Sequence, residues 1–205
     1  DPWGRLQRTA DFLAATSFGP AHEAQRIVDR VKAVHVKVNG VASDGRKYSA
    51  TDPHLLKWVH IAEIDSFLYT YQKFSKAPLD QEGRDGYVKD AAFVARAVGV
   101  IDPPETEAEL REMIDSYRPE LKSTRESRDA TKYLLFKPPL PGAAKIAYWL
   151  LMVATVSTLP AWTRIPLRVG YLPIIEQVIF RPLGYLMTSA IRWITSTPID
   201  KSSNS

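Results

Sequence analysis

One histidine stands on an otherwise apolar face of a predicted helix, where its side chain could bind a metal. His35 shares a stripe with three valines at helical spacing, Val28, Val31 and Val38. A neutral imidazole in a dry pocket is the ligand that a haem iron requires. A core histidine that is hydrogen-bonded to a backbone carbonyl fits the same pattern. The spacing alone leaves both interpretations of His35 open.

A second histidine, His60, has a similar setting on the next long predicted helix. It shares a face with large apolar and aromatic residues, Leu56, Ile64, Phe67 and Tyr71. Glu63 follows His60 by about one helical turn. The two form either a His–Glu pair that supports the core, or a second group of a functional site. In the latter case, His60 would hydrogen-bond a cofactor or position a substrate.

The opening helix carries two arginines and a threonine on one face. Arg5, Arg8 and Thr9 stand at positions i, i+3 and i+4, which are neighbours on a helix surface. They could be solvated side chains, with Asp11 as an ion-pair partner. In a pocket, they would supply two fixed positive charges and a hydroxyl. Such groups could stabilise bound oxygen or clamp a carboxylate.

Composition and missing motifs exclude several other chemistries. The chain has 205 residues, four histidines and no cysteine, so disulfides, thiolate metal sites and covalently attached haem are excluded. The sequence has no Glu-x-x-His pair of a di-iron bundle and no His-Glu-x-x-His motif. It also lacks the phosphate-binding Gly-x-x-x-x-Gly-Lys loop and the Gly-x-Ser-x-Gly motif of hydrolases.

The elements that must position these side chains are almost all helices. Capping residues, prolines and glycines delimit predicted helices near 2–17, 20–38, 53–76, 80–98, 106–117, 124–136, 142–159 and 173–195. Asp44-Gly45 predicts the turn of a short hairpin. We therefore predict an all-α, multi-helix bundle with one short β-hairpin near residues 41–48. The apolar helix near 143–159 contains Lys145 and falls short of the ~20 residues of a membrane span, so we expect it to be buried or interfacial.

The chain divides at a proline-rich piece, Lys137–Gly142. We predict a helical body over 1–136, an apolar, basic segment over 137–195 and a disordered tail over 196–205. The second of these segments would pack on the body or on a membrane surface. With 45% hydrophobic and 24% charged residues, the whole chain has the composition of a soluble globular protein.

Positive charge concentrates in the second segment. Residues 137–195 contain six Lys and Arg side chains and one acid, a net charge of +5, whereas the whole chain carries +4. Four arginines, expected at the surface, are interspersed with aromatic residues: Arg164, Arg168, Arg181 and Arg192. This pattern favours an anionic membrane surface or a protein partner over nucleic acid. We expect a cytoplasmic protein that can associate peripherally with a membrane.

Several short runs, in order, resemble the MpaB-like oxygenase family, which also contains the latex clearing proteins, or rubber oxygenases. The first runs extend from Asp1 to Leu13, from Ser17 to Gly19 and from Val34 to Gly40. The later ones lie at 44–50, 52–60, 138–141 and 159–162. The resemblance covers residue 1 to about residue 170. Because members of the family carry a further helical segment before Asp1, we expect this chain to be a fragment or a cleaved form.

The resemblance implies an all-α fold that binds haem b without covalent attachment. His35 would be the proximal iron ligand. Arg5, Arg8 and Thr9 occupy the Arg-x-x-Lys-Thr spacing that the latex-clearing branch has on the distal side, with Arg8 in place of lysine. An arginine does not readily lose its proton to coordinate iron, so Arg8 would bind the cofactor only by its charge. Arg5, Thr9 and His60 would be the catalytic side chains.

We therefore expect a haem b-dependent oxygenase or oxidoreductase. Its partners would be dioxygen and an apolar small-molecule substrate, with an anionic membrane surface as a further partner and no nucleic acid. The alternative is a non-catalytic helical module that docks on a membrane or a partner through residues 143–195. A Soret absorption band distinguishes the first from the second.

Overall fold

The computed structural model describes residues 2–136, 142, 144–170 and 176–195, which fold into two units. Unit 1 comprises residues 1–69 and 77–121, and unit 2 comprises residues 70–76 and 122–205. Nearly all of the described chain is helical, apart from one two-stranded sheet. The predicted all-α bundle with a short hairpin is confirmed.

Unit 1 contains the first five helices and the hairpin. Its helices are α1 (Pro2–Phe18), α2 (Ala21–His35), α3 (Pro53–Phe74, up to residue 69), α4 (Gln81–Val98) and α5 (Glu107–Tyr117). The antiparallel strands β1 (Asn39–Val41) and β2 (Lys47–Ser49) join α2 to α3. Gly45 has φ of 85° in the turn between the strands, a conformation that glycine adopts without the steric cost of a Cβ.

The core of unit 1 lies between α3, α4 and α5. Its fully buried residues come from all three helices and are Ile61, Ile64, Leu68, Val88, Leu110 and Tyr117. Side-chain caps fix where the helices begin. Asp80 accepts a hydrogen bond from the Gly83 amide at 2.8 Å, and Thr106 accepts one from the Glu109 amide at 3.2 Å.

A buried carboxylate ties α4 to α5 in the same unit. Glu107 accepts hydrogen bonds from Arg84 Nε at 2.8 Å and from Arg111. Its own amide donates to Asp85 Oδ1 at 2.9 Å, and this bond is the main reason that the pKa of Asp85 is lowered. Because two guanidinium groups and the capped helix start surround the carboxylate, burial leaves no unpaired charge at Glu107.

Unit 2 contains α6 (Arg125–Phe136), α7 (Ala144–Thr158), α8 (Ala161–Leu167) and α9 (Arg181–Thr195). Lys73, near the end of α3, donates to the carbonyl of Ser157 at 2.5 Å and so satisfies the C-terminal end of α7. The ring of Phe74 packs edge-on against Tyr185 of α9, with ring centroids 5.6 Å apart. Gly184 faces Phe74 so closely that an added Cβ would lie 2.5 Å from the ring.

One expected surface arginine is buried instead. Arg164 is 2% exposed, and its Nε donates to the carbonyl of Leu159 at 2.9 Å across the bend between α7 and α8. The two helices are apolar over Tyr148–Thr158 and Ala161–Leu167 and meet at an angle of 116°. Within the described ranges, no single helix is long and apolar enough to cross a membrane, although this bent pair meets the length and composition test.

Helix boundaries differ from the predicted ones mainly in unit 2. The sequence pattern missed α8, which follows Pro160 and is only seven residues long. The predicted helix over 173–195 instead contains a short π-helical turn, Glu176–Phe180, followed by α9. Pro182, in the first turn of α9, lacks the amide hydrogen of a continuous helix. The predicted boundary at 137–142 lies almost wholly outside the described residues, as does the tail over 196–205, and both stay predictions.

Candidate functional site

The first two helices bring Arg5 and His35 to the same end of a helical hairpin. Gly19 and Pro20 alone connect α1 to α2, and the two helices pack on each other. So short a connection makes consecutive helices antiparallel neighbours. Arg5 lies 13 residues before the end of α1, and His35 lies 14 residues after the start of α2. At about 1.5 Å per residue, both stand roughly 20 Å from the connection.

The three α1 side chains are all exposed. Within the described residues, Arg5 and Arg8 form neither an ion pair nor a side-chain hydrogen bond, because Asp11 instead accepts from Gln7 Nε2 at 2.9 Å. The hydroxyl of Thr9 donates to the carbonyl of Arg5 at 3.1 Å. Since a hydroxyl has one proton to donate, Thr9 in this arrangement can only accept a second hydrogen bond.

His35 is the last residue of α2 and is half-buried. In the part of the chain that the structure describes, its imidazole makes no hydrogen bond, so the carbonyl partner of an ordinary core histidine is not seen there. Five large apolar side chains lie close to His35 in the sequence or on the hairpin that follows it, and each is at least 40% exposed: Val34, Val36, Val38, Val41 and Tyr48. We call these five residues the valine patch. They expose apolar side chains next to His35 in the chain and on both faces of the hairpin.

His60 lies on α3, next to the core residues Ile61 and Ile64. It is 9% exposed, and its Nε2 has no hydrogen-bond partner in the described part of the chain. Burial lowers the pKa of His60 from 6.5 to about 4, because the charged imidazolium would lose its hydration. The ring is therefore neutral at pH 7 and keeps one buried nitrogen unsatisfied.

Burial shifts the pKa of two further titratable groups of unit 1 upwards. Burial raises the pKa of Glu63, one turn after His60. Burial and the negative charge of Glu63 raise the pKa of Tyr87, on α4, to about 12. No hydrogen bond joins His60 to Glu63 among the described residues, so the predicted His–Glu pair is not formed there. The sequence pattern gave no signal for Tyr87, because its approach to Glu63 depends on how α3 and α4 pack.

Of the other two histidines, one makes local contacts and the other is exposed to solvent. His54 Nε2 lies 2.8 Å from Glu120 Oε2, and its ring stacks on Tyr117 with centroids 4.4 Å apart. His22 is exposed on α2. Among the described residues, no three His, Asp or Glu side chains form a group that could hold a metal ion. A metal centre built only from protein ligands is therefore not seen in that part of the chain.

The comparisons with known proteins identify the family. Residues 1–189 match the family described as "ER-bound oxygenase mpaB/B'/Rubber oxygenase, catalytic domain". The chain belongs to this family. The expected resemblance is thereby confirmed, and oxygenase catalytic domains act on a substrate with dioxygen. No curated protein and no solved structure matches this chain significantly.

Proposed function

We propose that this MpaB/rubber oxygenase domain is a haem b-dependent oxygenase in which His35 holds the iron. The observation that supports this most directly is the free imidazole of His35 beside the valine patch. An exposed apolar patch on a folded protein commonly marks a ligand or partner site, and this stretch of the chain concentrates large exposed apolar side chains. A non-covalent haem needs an imidazole ligand and apolar side chains against its ring, and the end of α2 and the hairpin after it carry such groups.

The two candidate histidines differ in their fit to a haem. The ring of His35 is half-buried at the end of a helix, so a planar ligand can approach it. The Nε2 of His60 is closed off by the α3 core. A haem at His60 would require that core to open, which would cost the burial of large apolar side chains. We therefore propose His35 as the iron ligand and keep His60 as a second, catalytic group.

When bound, the haem would supply the activation of dioxygen, and the protein would supply polarity and access. The guanidinium of Arg8 stays protonated and suits an acidic group of the cofactor. Arg5 would place a fixed positive charge beside reacting oxygen, and Thr9 would accept a hydrogen bond there. His60, neutral and without a competing partner, could accept or donate one proton from its buried Nε2.

The substrate that suits this site is an apolar small molecule, because the accessible surface beside His35 is the valine patch. The family description includes an ER-bound oxygenase and a rubber oxygenase. We propose a cytoplasmic domain that associates peripherally with a membrane and obtains its apolar substrate there. A non-catalytic docking module is the alternative function, and it predicts a protein that never binds haem.

Absorption spectroscopy tests the haem and its ligand. The chain, expressed with haem available, should show a Soret band, and His35→Ala should lose it while the helical circular dichroism persists. His22→Ala is the matched control, because His22 is exposed on the same helix. His60→Ala should retain haem and alter the spectrum or the activity. A colourless His60→Ala with a haem-bearing His35→Ala would overturn the ligand assignment, and a protein colourless in every form would favour the docking module.

A further inference from the structure

Helix α7 is apolar on both its inner and its outer side. Val153, Ala154 and Ser157 form the buried side within unit 2. Trp149 and Leu151, at the two edges of the exposed side of α7, are 57% and 42% exposed. A helix that is hydrophobic all round is normally covered, either by a protein core or by lipid. The outer side of α7 therefore needs an occupant.

The bend places further apolar surface after α7. Ile165, on α8, is 82% exposed. The bend itself is fixed, because the buried Arg164 donates to the Leu159 carbonyl and Lys73 donates to the Ser157 carbonyl. Trp149, Leu151 and Ile165 thus belong to a rigid pair of helices rather than to a loose segment. We call these three residues, with the exposed Lys145 and Arg168, the α7–α8 outer face.

Charge indicates what covers this face. From residue 130 to residue 175 the sequence contains no Asp or Glu. Lys145 stands at the start of α7 and Arg168 directly after α8, so a basic group flanks the apolar face at each end. Apolar and aromatic side chains bordered by lysine or arginine suit a membrane with anionic headgroups. With 15 residues, α7 is about 22 Å long and too short to cross ~30 Å of hydrocarbon.

We propose that the α7–α8 outer face docks this chain onto an anionic lipid bilayer, with the helices lying in the interface. Trp149 and Ile165 enter the boundary between headgroups and acyl chains, and Lys145 and Arg168 meet the headgroups. The proposal rests on the proposed function in that it names the surface for the peripheral membrane association, and it does not involve haem, because none of these residues is proposed to bind the cofactor. Apoprotein and haem-loaded protein should bind vesicles alike.

Vesicle flotation of the full chain tests the proposal. The vesicles are phosphatidylcholine, either pure or with about one-third phosphatidylserine, and binding should require the phosphatidylserine. The double variant Trp149→Ser, Ile165→Ser should reduce partitioning roughly tenfold or more. Phe93→Ser is the matched control, because Phe93 is 77% exposed on α4 and lies outside this face. Circular dichroism should show that the parent, the double variant and Phe93→Ser are all folded and melt at similar temperatures.

A second measurement does not depend on the serine variants. Lipids brominated high in the acyl chain should quench the tryptophan emission of the bound chain, and Trp149→Phe should lose much of that quenching while still binding.

Sedimentation velocity tests whether a second copy of the chain, rather than lipid, covers the α7–α8 outer face. Loss of a dimer in the double variant, with no vesicle binding in any form, would show that a second copy covers the face. That result would overturn the proposal, as would a monomer without vesicle binding or equal losses in Phe93→Ser and the double variant.

Discussion

At the scale of single residues, the buried imidazole of His60 should make the stability of the protein depend on pH. Its folded-state pKa of about 4 lies below the unfolded value of 6.5. Between these values the unfolded chain binds more protons, so the free energy of unfolding should fall as the pH drops from 6.5 towards 4. The loss attributable to His60 is on the order of 3 kcal/mol as an upper limit.

His60→Leu should remove this contribution and relieve the unsatisfied Nε2. We expect the variant to equal or exceed the parent in stability at pH 7, and to gain on it progressively down to pH 4. Urea unfolding at several pH values measures both curves. Glu63 and its raised pKa are present in both proteins, so the difference between the curves isolates His60. Parallel curves would show that folding does not lower the pKa of His60. His22→Leu is the control.

The arginine and threonine of α1 make a different prediction. Arg5→Ala or Thr9→Ala should leave haem content near that of the parent, because neither side chain is proposed to hold the iron. Oxygen-dependent turnover should fall by roughly 10²–10³, the usual effect of removing a group that stabilises developing charge. Arg26→Ala, exposed on α2, serves as the control. Haem loss in both variants would make this face of α1 structural.

The sequence predicted the helix on which the His60 side chain lies, but not the contacts that surround its ring. Helical spacing placed His60 on an apolar face with Ile64, and both are buried, but Phe67 and Tyr71, predicted on the same face, are exposed. That Nε2 lacks a partner, and that Tyr87 is close enough to feel the charge of Glu63, depends on the packing of α3 against α4. No local pattern contains that information.

At the scale of elements, local signals located most helix starts and ends. Asp52 and Thr106 accept hydrogen bonds from the first turns of α3 and α5, as their positions before the helices predicted. Thr124, directly before α6, likewise accepts a hydrogen bond from the amide of Ser127 at 3.2 Å. The bend after α7 was harder to predict, since it depends on Arg164, whose charge made it look like a surface residue.

Alanine substitutions at two helical glycines should have opposite effects on the free energy of unfolding. Gly184→Ala should destabilise the protein by about 1–3 kcal/mol, because the new Cβ would meet the buried ring of Phe74. Gly86→Ala should stabilise it by about 0.5–1 kcal/mol, since nothing lies within 4 Å of an added Cβ there and alanine favours the helix. Urea unfolding monitored by circular dichroism measures both. Equal effects in the two variants would contradict the close approach of Gly184 to Phe74.

At the scale of the whole molecule, charge and apolar exposure are unevenly distributed along the chain. Residues 137–195 carry a net charge of +5, and the rest of the chain carries −1. Composition predicted this asymmetry, but not which arginines reach solvent. Arg168 is exposed, whereas Arg164, four residues earlier, is 2% exposed and bonded to a carbonyl. Only exposed charge can contribute to adhesion on a lipid surface.

The two arginines should therefore respond differently to substitution. Arg168→Asn should weaken binding to phosphatidylserine vesicles about fivefold at low salt, with less effect at high salt, where a shorter Debye length screens the charge. Asparagine tolerates the φ of 57° at this position, so stability should hold. Arg164→Gln should lower the free energy of unfolding by about 1–3 kcal/mol, because the Leu159 carbonyl loses its partner. Flotation across a salt series and urea unfolding separate the two effects, and equal salt-dependent losses of binding in both variants would contradict the burial of Arg164.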